Sequence, residues 1–295
     1  MIHRPLLLAA LVSFSFVAVP AFAQSVPAYV TAAVNDKGRP AADTMRDGNR
    51  KPAETVAFST VKPGDKIADF IAGGGYFTRI FSKVVGPQGH VYATAPAGGM
   101  MMGGAPAGGA MMPAAQGAMG APQGTMMGAQ PGARMGAPAM GAPAAPMMGN
   151  AAEDPLKAIA GDSAYSNVTV LTQPASKLMV SEPLDVVFTA QNYHDLHNPG
   201  PYHADDVAAF NKSVFDALNP GGVFLVLDYA SAPGTGFSQT ATLHRAEPDA
   251  EKAEILKAGF VFEGESKVLA RPNDPHTMRS HEQDDQFIFR FRKPK

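Results

Sequence analysis

Two stretches of this 295-residue chain carry residue types suited to chemistry. The first is Asp69-Phe70-Ile71-Ala72-Gly73-Gly74-Gly75-Tyr76-Phe77-Thr78. Three successive glycines let the backbone turn sharply and approach a ligand without side-chain clash. A helix beginning near Tyr76 would aim free N–H groups at that ligand. The second stretch is Asn192-Tyr193-His194-Asp195. Tyr193 could stack on a flat ligand. His194, with an ordinary pKa of about 6.5, could act as a general base, with Asp195 orienting it. Asp228 and Tyr229 close an apolar run and could line the same cleft. His244-Arg245 offers charge for an anionic group. Each has a plainer alternative: a loop whose side chains cap the backbone, a strand-end turn, a solvated surface pair. His194, His197 and His203 with Asp195 invite a metal reading, but their spacing matches no standard motif and no metal is expected.

The flanking patterns predict the elements that position these residues. Residues 66–70 read as a strand that ends on the glycine loop. Phe77, Ile80, Phe81 and Val84 then recur at i, i+3, i+4 and i+7, one face of a helix. Further strands are predicted at 90–94, 168–172, 184–189, 223–227, 260–265 and 286–292. Helices are predicted at 52–58, 154–160, 205–218 and 249–258, and Asn219-Pro220-Gly221-Gly222 as a tight turn. Strands alternating with helices predict an α/β fold, a mostly parallel sheet covered on both faces. Ligands in such sheets bind at the carboxyl ends of the strands, where strand order reverses. Both chemical stretches follow predicted strands.

Residues 97–150 break the composition. They are almost wholly Gly, Ala, Met, Pro and Gln, and hold twelve of the sixteen methionines. Met-Gly-Ala-Pro recurs at 119–122, 135–138 and 140–143, and Arg134 is the only charge. Such a stretch predicts a disordered insertion. Thioethers also suit Cu(I), so a copper or oxidant sink is an alternative role. Residues 1–23 read as a signal peptide: Arg4, an apolar run, and Ala21-Phe22-Ala23. That run falls short of the roughly 20 residues of a membrane helix. Export to the periplasm is expected, with no stable membrane insertion after cleavage. Residues 24–50 read as an N-terminal arm and 51–295 as one domain. The net charge of −2 gives no pull toward nucleic acid. The absence of cysteine excludes disulfides, thiolate catalysis and a lipid-anchoring cysteine.

Ordered motifs along the chain resemble a known family. They are Arg46-Asp47, Arg50-Lys51-Pro52-Ala53-Glu54, Val61-Lys62-Pro63-Gly64, the glycine loop and Val91-Tyr92-Ala93. The series continues with Asn192-Tyr193-His194-Asp195, Pro220-Gly221-Gly222, Leu243-His244-Arg245 and Ala258-Gly259-Phe260. The chain thereby resembles exported class I S-adenosylmethionine-dependent methyltransferases of uncertain substrate. The resemblance implies a Rossmann-like, seven-stranded sheet whose last strand is antiparallel. It implies S-adenosylmethionine as cofactor, with Asp69, Ala72, Gly73, Gly74, Gly75, Tyr76 and Asn192 on the cofactor side. It places Tyr193, His194 and Asp195 toward a small-molecule or envelope-component acceptor, with Asp228, Tyr229, His244 and Arg245 as further cleft residues. Ala93-Thr94-Ala95-Pro96 lacks the acid that usually holds the ribose, and Gln173 stands where another acid often sits near adenine. Ile71 stands where many members have glycine. A ribose contact of that kind contributes roughly 1.5–3 kcal/mol. A non-catalytic binding module on the same fold is therefore the alternative.

Overall fold

A computed structural model describes residues 25–97, 154–280 and 283–295. The signal peptide at 1–23, the insertion from residue 98 to 150, and His281 lie outside the described residues.

The chain enters through α1 (Ala28–Val34), α2 (Ala41–Thr44), α3 (Asp47–Arg50) and α4 (Pro52–Phe58). Residues 24–50, expected as an arm, are thus largely helical. Val30 and Ala33, spaced i and i+3, are buried and join the core beside α5 (Tyr76–Val85). Two small apolar side chains in a polar stretch were a faint signal of this packing. Buried Arg39 makes a two-pronged ion pair with Asp47, at 2.7 and 2.8 Å, and so folds α3 back toward α1. Lys51 adopts a left-handed φ of 44° between α3 and α4, and Pro52 opens α4 where its missing N–H costs nothing.

The remaining elements are β1 (Lys66–Phe70), β2 (His90–Pro96), α6 (Pro155–Gly161), β3 (Val168–Gln173), β4 (Leu184–Ala190), α7 (Val207–Ala217), β5 (Leu218–Tyr229), α8 (Thr240–Leu243), α9 (Pro248–Leu256), β6 (Val261–Ser266) and β7 (Gln286–Arg292). Among the described residues seven strands form one sheet in the order β3-β2-β1-β4-β5-β7-β6. β1 pairs in parallel with β2 on one side and β4 on the other, and β5 continues in parallel. β7 is antiparallel to both β5 and β6. This is the sheet that the resemblance implies, with its antiparallel last strand.

Alternating strand residues feed two cores. Ile67, Val91, Phe188 and Leu225 pack with α1, α4, α5 and α6. Phe70, Val187, Phe224 and Phe289 pack with α7 and α9. The expected apolar stripe on α5 is buried throughout. The turn expected at 219–222 lies within β5 instead: Leu184 pairs with Leu218 and Val186 with Val223, so the extra residues bulge out of the ladder.

Gly75 ties the glycine turn to α6. Its φ is 78°, and a Cβ there would stand 2.2 Å from Ile159 Cδ1 and 3.2 Å from Leu156 Cδ2. Gly75→Ala is expected to destabilise the fold by about 2 kcal/mol, from backbone strain plus overpacking. Urea denaturation checks this, and an unchanged midpoint would remove the constraint assigned to Gly75.

Candidate functional site at the carboxyl edge of the sheet

Strand order reverses between β1 and β4, and the two chemical stretches meet there. The Ile71 and Ala72 amides donate to Thr94 Oγ1 and the Thr94 carbonyl, both at 2.9 Å. Gly75 N–H closes back on the Ala72 carbonyl at 3.0 Å. Ile71 takes a left-handed φ of 53°, which explains why glycine suits this position. Gly73 and Gly74 are exposed, and a Cβ on either would meet nothing within 4 Å. Their N–H groups donate to no described residue. The turn therefore offers open space and two free donors ahead of α5.

The side chains around the turn face inward. Thr78 Oγ1 donates to Asp69 Oδ2 at 2.6 Å, and burial pushes the Asp69 pKa up to about 7 against the pull of Thr78 and Arg50. Tyr76 donates from its hydroxyl to Asp47 at 2.6 Å, under the guanidinium of Arg50 at 4.7 Å. Asn192 donates to the Ile71 carbonyl at 3.0 Å and accepts from the Thr189 hydroxyl. Asp69, Tyr76 and Asn192 were expected on the cofactor side. Here their polar atoms brace the loop, and the open surface belongs to Gly73 and Gly74, with half-buried Ala72 packed beneath.

The β4 end is organised by Asp228, which is fully buried at the end of β5. It accepts from the His194 backbone N–H at 2.8 Å, from the Tyr229 N–H at 2.8 Å, and pairs with His194 Nδ1 at 2.7 Å. Asp195, expected to orient His194, instead faces the other ring nitrogen: its Oδ1 is 3.3 Å from Nε2. Burial opposes charge on this imidazole, but Asp228 and Asp195 outweigh it and push its pKa up to about 10. At neutral pH it already holds its proton, which corrects the general-base expectation.

Two other expectations are corrected by burial. Tyr193 is fully buried, donating to Glu254 at 2.9 Å and accepting from Asn211 at 2.7 Å. It is a core side chain and stacks on no ligand. Arg245 is also fully buried. It pairs with Asp274 and Asp284 at 2.6 Å each, and donates to the Ala230 and Met278 carbonyls at 2.8 Å. It clamps the connection before β7, and no free anion can reach it. Its neighbour His244 points the other way. A left-handed φ of 52° at the end of α8 brings His244 Nδ1 to 3.3 Å from His194 Nε2 and 3.2 Å from Asp195 Oδ1. Asp195 and His244 line a cavity of about 280 Å3 with Asn198, Pro199, Tyr202 and Ala241. Tyr229 is nearly buried, its ring 6.3 Å from that of His194, and burial pushes its pKa up to about 12.

The histidines grouped by sequence part company. His197 pairs with Glu254 at 3.1 Å and stacks on Phe237 at 3.8 Å, while His203 lies at the surface beside Asp205. His276 sits 3.2 Å from Asp285. Sequence reasoning also missed Arg50, which donates to Gln191 Oε1 at 2.6 Å and links the pre-β1 helices to the β4 end. Its only signal was its place in the resembling motif. A second cavity, of about 710 Å3, lies between residues 176–183 and α7, and no residue named above for chemistry lines it.

No protein-family model matches the chain, and no curated protein matches it. Among solved structures it is similar to a SAM-dependent methyltransferase from Aquifex aeolicus, with 14% identity, 87% of this chain and 99% of that chain covered, and a TM-score of 0.49. It is similar to the N-methyltransferase NodS from Bradyrhizobium japonicum, with 11% identity, 85% and 97% coverage, and a TM-score of 0.45. It is also similar to Aeropyrum pernix fibrillarin with bound S-adenosyl-L-methionine, with 12% identity, 80% and 72% coverage, and a TM-score of 0.42. Likeness at this level assigns no activity, and the fold class rests on the strand order itself.

Two outcomes follow from the buried charges. The folded chain keeps the Asp69 proton to about pH 7, while the unfolded chain releases it near pH 4. Wild-type stability therefore falls as pH rises through that window, at most about 1.4 kcal/mol per unit from this group. Asp69→Asn has no such proton, so its stability relative to wild type improves from about pH 4 to about pH 7. Parallel urea profiles for the two proteins would contradict this. Arg245→Ala strands two buried carboxylates and is expected to cost about 3–5 kcal/mol. A thermal melt near that of wild type would show the clamp to be dispensable.

Proposed function

We propose that the chain is an exported methyltransferase, moving a methyl group from S-adenosylmethionine to a small-molecule or envelope-component acceptor in the periplasm. The observation that carries the reading is the open glycine turn at the β1/β4 reversal, with two free N–H groups ahead of a ten-residue helix. Open α/β sheets bind ligands at this place.

The residues present fit the amino-acid end of the donor. The free N–H groups of Gly73 and Gly74 and the positive end of α5 suit a carboxylate. Gln173 fits the adenine side in part: its Oε1 accepts from the Met179 N–H at 2.9 Å, and its buried Nε2 donates to no described residue. S-adenosylmethionine supplies an electrophilic methyl group on sulfur. The chain's task is then chiefly positioning, which needs no charged base at the acceptor. The cavity beside Asp195 and His244 is the acceptor side in this reading.

One observation favours a non-catalytic binding module instead. β2 ends without a carboxylate, and the Thr94 hydroxyl is already taken by the Ile71 amide. Titration calorimetry on the mature, untagged chain separates the readings. One-to-one binding of S-adenosylmethionine and of its demethylated product is expected, weaker by about one or two powers of ten than a site with the ribose carboxylate. Gly74→Val tests the placement. A Cβ there would meet nothing within 4 Å and the backbone is not left-handed, so stability stays within about 1 kcal/mol while affinity falls at least tenfold. No heat from either ligand at millimolar concentration would end the methyltransferase reading.

A further inference from the structure

His194 Nε2, Asp195 Oδ1 and His244 Nδ1 form a nearly equilateral triangle, with edges of 3.3, 3.2 and 3.3 Å. Two imidazole nitrogens and a carboxylate oxygen thus converge on one point. A metal ion here would take the place of the Nε2 proton that faces Asp195: with its remaining N–H on Nδ1, toward Asp228, His194 then turns the Nε2 lone pair into the triangle. A single cation in that position meets all three donor atoms.

We propose that these three side chains form a binding site for a divalent first-row transition metal of zinc type, with the fourth coordination position left to the adjoining cavity. The edge lengths decide the geometry. Four ligands at about 2.05 Å in a tetrahedron stand roughly 3.3 Å apart, whereas adjacent octahedral ligands at 2.1 Å stand roughly 3.0 Å apart. The observed edges match the tetrahedral set. Imidazole and carboxylate without thiolate suit zinc or cobalt rather than Cu(I).

The surroundings support the same reading. Asp228 receives the far nitrogen of His194, the carboxylate–histidine arrangement that orients a metal ligand. Asn198 donates to Asp195 Oδ1 at 2.9 Å and holds that carboxylate in place. Asn198 Oδ1, buried in the cavity lining, accepts from no described residue. It is an acceptor waiting for a donor, as a metal-bound water would be. Asp195 and Asp228 supply two negative charges, and Arg279 opposes them from the His244 side. The left-handed backbone at His244 is the strain that brings the third ligand in. Only His194 and Asp195 are neighbours in sequence. His244 arrives from fifty residues further on.

The inference does not depend on methyl transfer, and its test reads metal alone. The mature, untagged chain is stripped with chelator and titrated with Zn2+ by calorimetry, and with Co2+ by visible absorption. One equivalent of each is expected, with the intense d–d bands of four-coordinate cobalt. His244→Gly suits the left-handed backbone, and Asp195→Asn keeps the side-chain shape. Each is expected to weaken Zn2+ binding at least 100-fold and to abolish the cobalt bands, with circular dichroism unchanged. The methionines of residues 97–150 are poor ligands for either ion, so they cannot supply the signal. Absence of stoichiometric binding at micromolar metal would overturn the proposal, as would undiminished binding in either variant.

Discussion

A carboxylate shut away from water at the end of β5 organises the carboxyl edge of this sheet. Asp228 has no solvent to stabilise its charge, and burying an ion costs several kcal/mol unless partners replace the water. The chain supplies the Tyr229 amide, the His194 amide and the His194 ring. Two of these three come from the loop after β4. The same contacts that satisfy the charge therefore fix the 192–195 segment against β5. The effect spreads outward. Glu251, fully buried beside Asp228, has its pKa raised by burial and by that neighbouring charge. Glu254 takes the hydroxyl of Tyr193 and the ring of His197. The loop is anchored on both sides of His194, which leaves one imidazole edge facing the cleft.

Across the strand reversal the glycine turn is held by equally specific means. Thr94 takes two successive amides, Asn192 bridges β1 to β4, and Arg50 reaches over Tyr76 to Gln191. Non-glycine residues with left-handed backbone gather at this edge: Ile71 after β1, Gln191 after β4 and His244 after α8. Each such residue stores about 1–3 kcal/mol of strain, and such residues persist where surrounding contacts over-determine them. Here they re-aim the chain just where strands end, producing an open donor turn on one side and a ring of ligand atoms on the other.

Much of this was legible in the residues. β1 and β7 fall where their apolar patterns predict, and the stripe Phe77, Ile80, Phe81, Val84 is buried as expected. These are local signals, set by period and turn chemistry. The unread parts depend on distance along the chain. Tyr193 and Arg245 look like site residues because a hydroxyl and a guanidinium are polar. Only the fold reveals Asn211, Glu254, Asp274 and Asp284 waiting to satisfy them inside. Asp195 follows His194 in sequence and so was the natural candidate to orient it. The residue that does so is Asp228, brought in by parallel pairing of β4 with β5. Residues 24–50 were read as an arm because they are polar and mixed, yet Val30 and Ala33 suffice to seat α1.

The central claim is that the carboxyl edge at the β1/β4 reversal is where this chain holds a nucleoside-bearing ligand. A crystal structure of the mature chain grown with the demethylated product of S-adenosylmethionine tests it most directly. The account predicts the amino-acid end of that ligand on the Gly73 and Gly74 amides, with its adenine toward Gln173. Density instead in the groove between residues 176–183 and α7, or none at millimolar ligand, would contradict it.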